Sequence, residues 1–190
     1  MKKNLLLFGI VIGLSLTCNH SLEAQNETVA NKIIYAELCG PGVVMSANFD
    51  GRFSSKSNLG LGYRFGIGFG FNNFQERIYK LLFDETYEIS IEAKEKGSFY
   101  TFPVGLNYIA GKPGKALSFE AGAGVTILSH KAPLYNIEYH KPGNIIGYIS
   151  LMGRIAPAKG GMSFRFGITP IIGTSGDLLP IFAFSLGYAF

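Results

Sequence analysis

The residues with the plainest chemical potential in this chain lie in one stretch, SHKAPLYNIEYHKPG, which brings Ser129, His130, Glu138 and His140 close together. A serine, a histidine and a carboxylate are the parts of a nucleophile, its general base and the group that orients that base, so Ser129, His130 and Glu138 are the candidates for acyl-transfer chemistry. Nothing around them repeats a nucleophile motif, and Ser, His and Glu in a loop are ordinarily solvated, so no catalysis is expected. His130 and His140 lack the His/Cys/carboxylate spacing of a zinc site. The glycines of GLGYRFGIGFGFNN are spaced loosely like a phosphate-binding loop, but no helical pattern follows them and a simple alternation accounts for them better. Neither cofactor nor metal is expected.

A second set of chemically capable residues is spread along the chain: Glu37, Asp50, Arg52, Arg64, Glu120, Arg154 and Arg165. Each falls inside a run of period-two alternation, and each falls on the side of that run where the other residues are small. In LGLGYRFGIGFGF one face carries Leu59, Leu61, Tyr63, Phe65, Ile67, Phe69 and Phe71, while the other carries glycines and Arg64. A soluble barrel would turn Thr, Lys and Glu to water. A glycine-rich second face suits the crowded interior of a small membrane barrel, where a few polar residues satisfy one another. These seven charges are therefore expected to form an Arg–carboxylate network in a side-chain-filled lumen, since an arginine facing lipid at mid-strand costs about 2–4 kcal/mol.

The elements that must position them are strands. Alternation recurs over 32–40, 43–53, 59–71, 98–110, 116–129, 144–157, 162–173 and 180–190. These runs approach the roughly 9 to 11 residues that a tilted strand needs to cross a bilayer. SSKSN, GKPGK and AKGG are tight turns, and they alternate with the longer connections 72–97 and 130–143 and a brief GTSGD. The short connections thus fall on one side and the long ones on the other, as in a bacterial outer-membrane barrel. Within 72–97, the alternation over 87–93 extends strands three and four as a hairpin beyond the membrane or offers a binding surface. Aromatic residues near the strand ends, among them Phe53, Tyr63, Phe102, Tyr108 and Tyr188, suit interfacial girdles.

Composition agrees. Hydrophobic residues make up 47% of the 190 residues and charged ones only 16%, below the usual share of about 25%. The opening MKKNLLLFGIVIGLSLTCNHSLEAQ has lysines at 2 and 3, an apolar run over 5–16 and small or neutral residues leading to Ala24. It reads as a secretory signal peptide over 1–24, cut after Ala24, followed by a short lead over 25–31 and a barrel domain over 32–190. The residues before Cys18 do not match a lipoprotein site. Cys39 is then the one cysteine of the exported chain, which excludes a disulfide scaffold. Removing Lys2, Lys3 and Glu23 moves the net charge from +4 to +3, and no dense basic run accompanies it, so no nucleic-acid partner is expected.

The blocks KIIYAELCGPG, VMSANFDGRF, TFPVGLNYIAGK, LSFEAGAGVTIL, GMSFRFGITPIIG and FAFSLGYAF resemble those of the small outer-membrane β-barrel proteins of Bacteroidetes-type bacteria. The resemblance implies an all-β fold, a closed eight-stranded antiparallel transmembrane β-barrel with up-and-down meander connectivity, and export to the outer membrane. It also implies a last strand, through Phe182, Phe184, Leu186, Tyr188 and Phe190, that is read by the outer-membrane assembly machinery. Outer-membrane lipid and lipopolysaccharide are then the expected surroundings, and a monomer the expected state. The family carries no catalytic signature to transfer, so a structural or surface-interaction role is the expected function. Two alternatives are a small pore for ions or hydrophobic solutes, and a lipid A-modifying hydrolase or acyltransferase. Such enzymes occur among eight-stranded outer-membrane barrels and use a Ser, a His and an acidic residue.

Overall fold

The structure is a computed structural model that describes residues 29–71, 98–132, 143–173 and 178–190. The proposed signal peptide, the alternation within 72–97, and Glu138 and His140 lie outside the described residues, as does the side chain of His130. Strands form where the alternation runs: β1 (Lys32–Cys39), β2 (Met45–Arg52), β3 (Gly60–Phe71), β4 (Ser98–Gly111), β5 (Leu117–Ala132), β6 (Gly143–Ile155), β7 (Gly161–Ile168), β8 (Ile171–Ile172), β9 (Leu178–Leu179) and β10 (Phe182–Ala189).

From β1 to β7 each strand pairs antiparallel with the next, β10 pairs with β7, and β10 returns to β1 from Ile33↔Ala189 to Cys39↔Ala183. The backbones of Lys32 and Phe190 extend that seam with two more hydrogen bonds, of 3.1 and 2.9 Å. The short segments β8 and β9 are not extra staves. β8 continues β7 along β6 in one register, Leu151↔Ile168 running on to Tyr148↔Ile171, and β9 continues β10 in the same way. Pro170 and Pro180 fall opposite one another in that register, and neither has an N–H to give, so the ladder breaks there. The fold is a closed eight-stranded antiparallel barrel in which β1 to β7 and β10 each pair on both sides.

The two faces of the wall differ as period two requires. Outward rows are large and apolar, such as Phe182, Phe184, Leu186, Tyr188 and Phe190, all about half exposed. Inward rows alternate bulky side chains with glycines on the neighbouring strand. The Tyr148 hydroxyl lies where Cβ atoms at Gly105 and Gly124 would stand, Arg52 covers Gly62, Asn48 covers Gly66, and Tyr35 covers Gly187. The glycine-rich face is thus the clearance for large inward side chains one strand away.

The tight turns gather at one end. Gly160 N–H donates to Pro157 O at 3.1 Å, and Lys115 N–H to Lys112 O at 3.1 Å. Positive φ values of 75° at Gly114 and 100° at Gly160 are conformations that glycine adopts without strain. Ala30, from the lead, tucks under this end with Ile33, Tyr35, Ala156 and Ala189.

At the other end the β1–β2 connection turns into the barrel. The sequence reading begins the second strand at residue 43, but the strand starts at Met45 because Gly40–Gly42 form a buried 3-10 turn and Val43 folds inward after it. Val43 joins Phe99, Leu128, Ile146 and Ile171 in an apolar cluster, with Val44 and Ile181 against it. Thr126 Oγ1 donates to Pro41 O at 2.8 Å and Thr101 Oγ1 to Gly42 O at 3.0 Å, so the far wall holds the turn down. Val43 adopts φ 74°, ψ −72°, the centre of a γ-turn closed by Val44 N–H on Gly42 O at 3.1 Å, and Cys39 sits at φ 59°, ψ −148°. Both conformations are strained for residues with a Cβ, at about 1–3 kcal/mol each, and the surrounding contacts offset that cost.

Candidate functional site

Between the two apolar clusters lies a layer of ionised side chains. Strand parity delivers Glu37 from β1, Asp50 and Arg52 from β2, Arg64 from β3, Glu120 from β5, Arg154 from β6 and Arg165 from β7, and all seven are buried. Asn107, inward on β4, completes the ring. Arg52 Nη2 donates to Asp50 Oδ1 and to Asn107 Oδ1, each at 2.6 Å, while its Nη1 donates to Gly60 O at 2.9 Å. Asn107 Nδ2 donates in turn to Asp50 Oδ2 and, at 3.1 Å, to Glu120 Oε1. One amide thereby ties two carboxylates to a guanidinium.

The remaining arginines bridge the carboxylates. Arg154 Nη1 donates to Glu120 Oε2 at 3.0 Å and lies 3.5 Å from Asp50 Oδ1. Arg165 Nη2 donates to Glu120 Oε1, and Arg165 Nη1 stands 3.7 Å from Glu37 Oε1. Glu37 also accepts from Arg64 Nη2 at 2.8 Å and from the Ser185 hydroxyl at 3.1 Å. Tyr35 is the floor for two of these cations: its ring centroid lies 4.4 Å from the Arg165 guanidinium carbon and 5.6 Å from that of Arg64. The Tyr148 ring flanks Arg64 at 5.7 Å. In a low-dielectric interior such close, charge-assisted contacts lock side chains strongly, so the arrangement cross-links all eight staves of the barrel around the lumen.

The seven charged residues taken from the sequence are thus brought together, and parity is what made them findable. Asn107, Tyr35, Tyr148 and Ser185 escaped that reading because none is charged. The available signal was that Asn107, in TFPVGLNYIAGK, shares inward parity with Thr101 and Gly105 at mid-strand.

Of the candidate acyl-transfer residues, only Ser129 has a described side chain. Ser129 is exposed on β5 next to a register shift, and its hydroxyl accepts the Tyr100 N–H at 3.1 Å. The side chains of His130, Glu138 and His140 fall outside the described residues. Among the described residues no group of three His, Cys, Asp or Glu side chains is placed to hold a metal ion. The residues marked as an assembly signal, Phe182, Phe184, Leu186, Tyr188 and Phe190, form the outward row of the closing strand. No protein-family model, no curated protein and no solved structure matches this chain.

Proposed function

We propose that this protein is an integral outer-membrane β-barrel of the kind found in Bacteroidetes-type bacteria, with a structural or surface-interaction role and no catalysis. The observation that carries the reading is the sign of the two faces. Every charge within the strands that belongs to the buried network points inward, while the outward rows of all the long strands are large and apolar: Ile34 and Leu38, Phe65 and Ile67, Val104 and Leu106, Val125 and Ile127, Ile149 and Leu151, Phe164 and Phe166, Phe184 and Leu186. A water-soluble monomer rarely exposes a contiguous apolar patch beyond a few hundred Å². A belt around a whole barrel is suited to acyl chains, with lipid and lipopolysaccharide as its partners and the closing strand β10 as the segment offered to the assembly machinery.

The lumen supports the non-catalytic, non-conducting form of this reading. An apolar cluster at each end and an ion network between them occupy its height. Cell fractionation tests the location. The expected result is protein in the outer-membrane fraction, extractable only with detergent and migrating faster on gels before heating than after. Detergent-free recovery from the periplasm would overturn the proposal.

A further inference from the structure

The buried charges do not balance. Among the described residues, four guanidiniums, of Arg52, Arg64, Arg154 and Arg165, share the interior with three carboxylates, of Glu37, Asp50 and Glu120. The hydrogen-bond count leans the same way. Both oxygens of each carboxylate already accept at least one hydrogen bond. Yet Nε of Arg52, Nε and Nη1 of Arg64, and Nε and Nη1 of Arg165 donate to no protein acceptor. Buried donors are rarely left without acceptors, and a guanidinium that is desolvated and only partly paired is among the costliest such groups.

Among the described residues, six of the unpartnered donor atoms fall on four side chains in mutual contact, whereas the others, Arg52 Nε and the hydroxyls of Ser150, Ser163 and Thr169, come one to a residue. Arg64 and Arg165 converge on the same carboxylate, Glu37, and on the same ring, Tyr35, and Tyr148 closes over Arg64. The hydroxyls of Tyr35 and Tyr148 are likewise without a hydrogen-bond partner. Four neighbouring side chains therefore hold two guanidinium edges and two hydroxyl donors, all buried, with one negative charge too few around them. Asn48 Oδ1, an acceptor in the same interior, is also unpartnered, but it is held over Gly66 of β3 and carries no charge.

We propose that the lumen binds one small inorganic monovalent anion, of the chloride or bromide class, in the cluster of Arg64, Arg165, Tyr35 and Tyr148. The anion supplies the missing charge and accepts from donors that the carboxylates cannot reach. It acts as a structural counter-ion of the barrel, and the assignment does not depend on which solvent surrounds the outer wall.

The test uses the purified, folded protein at constant ionic strength, with chloride exchanged stepwise for gluconate. The urea midpoint is expected to rise with chloride and saturate, because an ion that binds only the folded state stabilises it by mass action. Tyr148→Phe keeps the ring and removes only the hydroxyl, and it should raise the half-saturating chloride concentration about tenfold, the usual worth of one hydrogen bond to a charged group. Crystals grown in bromide should show anomalous density within hydrogen-bonding distance of Arg64 Nη1. A midpoint indifferent to the anion, or a bromide crystal without that density, overturns the proposal. An unaltered half-saturation in Tyr148→Phe removes the ion from this cluster and overturns it equally.

Discussion

Arg165 is the residue through which the two halves of the ion network communicate. It donates to Glu120, which Arg154 and Asn107 tie to Asp50, and it stands 3.7 Å from Glu37, which is held by Arg64 and Ser185. Replacing it with leucine keeps the volume apolar, removes a hydrogen-bonded cation from Glu120 and cuts the link to Glu37, although these carboxylates keep Arg154 and Arg64 respectively. Losing one hydrogen bond to a buried charged group costs about 1.5–3 kcal/mol. Arg165→Leu should therefore lower the urea midpoint of the folded protein by an amount of that order, and Arg165→Lys should recover only part of it, since an ammonium cannot present a planar fork to two carboxylates. Unchanged midpoints for Arg165→Leu would sink the cross-linking role. That these charges face inward was legible in the sequence, because alternation sets parity. Which charge meets which was not, because partners such as Arg154 and Asp50 are 104 residues apart and meet only through the closure of the barrel.

The strands themselves were the most legible elements, since each carries its own period-two record in LGLGYRF or FAFSLGY. Two features of the elements depended on distant residues and stayed hidden. The break between β7 and β8 arises because Pro170 meets Pro180 across the ladder, a matter of register rather than of either proline alone. The inward fold of Gly40–Gly42 arises because Thr101 and Thr126, 59 and 85 residues downstream of their partners, receive its carbonyls. In the sequence, Gly40–Gly42 reads as a link between two strands, with Val43 and Val44 opening the second of them. The receiving threonines make a specific prediction for this element. Thr126→Val is nearly isosteric but leaves the buried Pro41 carbonyl without a donor, at a cost of about 1–3 kcal/mol to the turned-in state. The strain at Cys39 and Val43 would then be less well opposed. Amide hydrogen exchange should speed up at Val43 and Val44, whose N–H groups close the turn, while the β4–β5 ladder keeps its protection. Loss of protection in both places at once would mean that the turn is no separate element but part of the barrel's global stability.

For the whole molecule the decisive quantity is the free energy of the outer surface, and it differs in sign between water and lipid. In water each outward apolar residue would forgo roughly 25 cal/mol per Å² of burial, and placing a charge among them would be close to neutral or helpful to solubility. In a bilayer the same charge must be desolvated, by an amount that depends on its depth. Val104 is an outward residue near the middle of β4, flanked in register by Phe65 and Val125, and Leu117 is an outward residue at the turn end of β5. If lipid surrounds the barrel, Val104→Arg should destabilise the folded protein by about 2–4 kcal/mol and Leu117→Arg by only about 0–1 kcal/mol. Unfolding titrations in phospholipid vesicles read both values against the parent protein. The two substitutions add the same charge to the same face, so the difference between them reports depth in a low-dielectric slab rather than any side-chain contact. Equal and small effects would be the behaviour of a barrel whose wall faces water, and would remove the membrane reading even if the fold were retained in full.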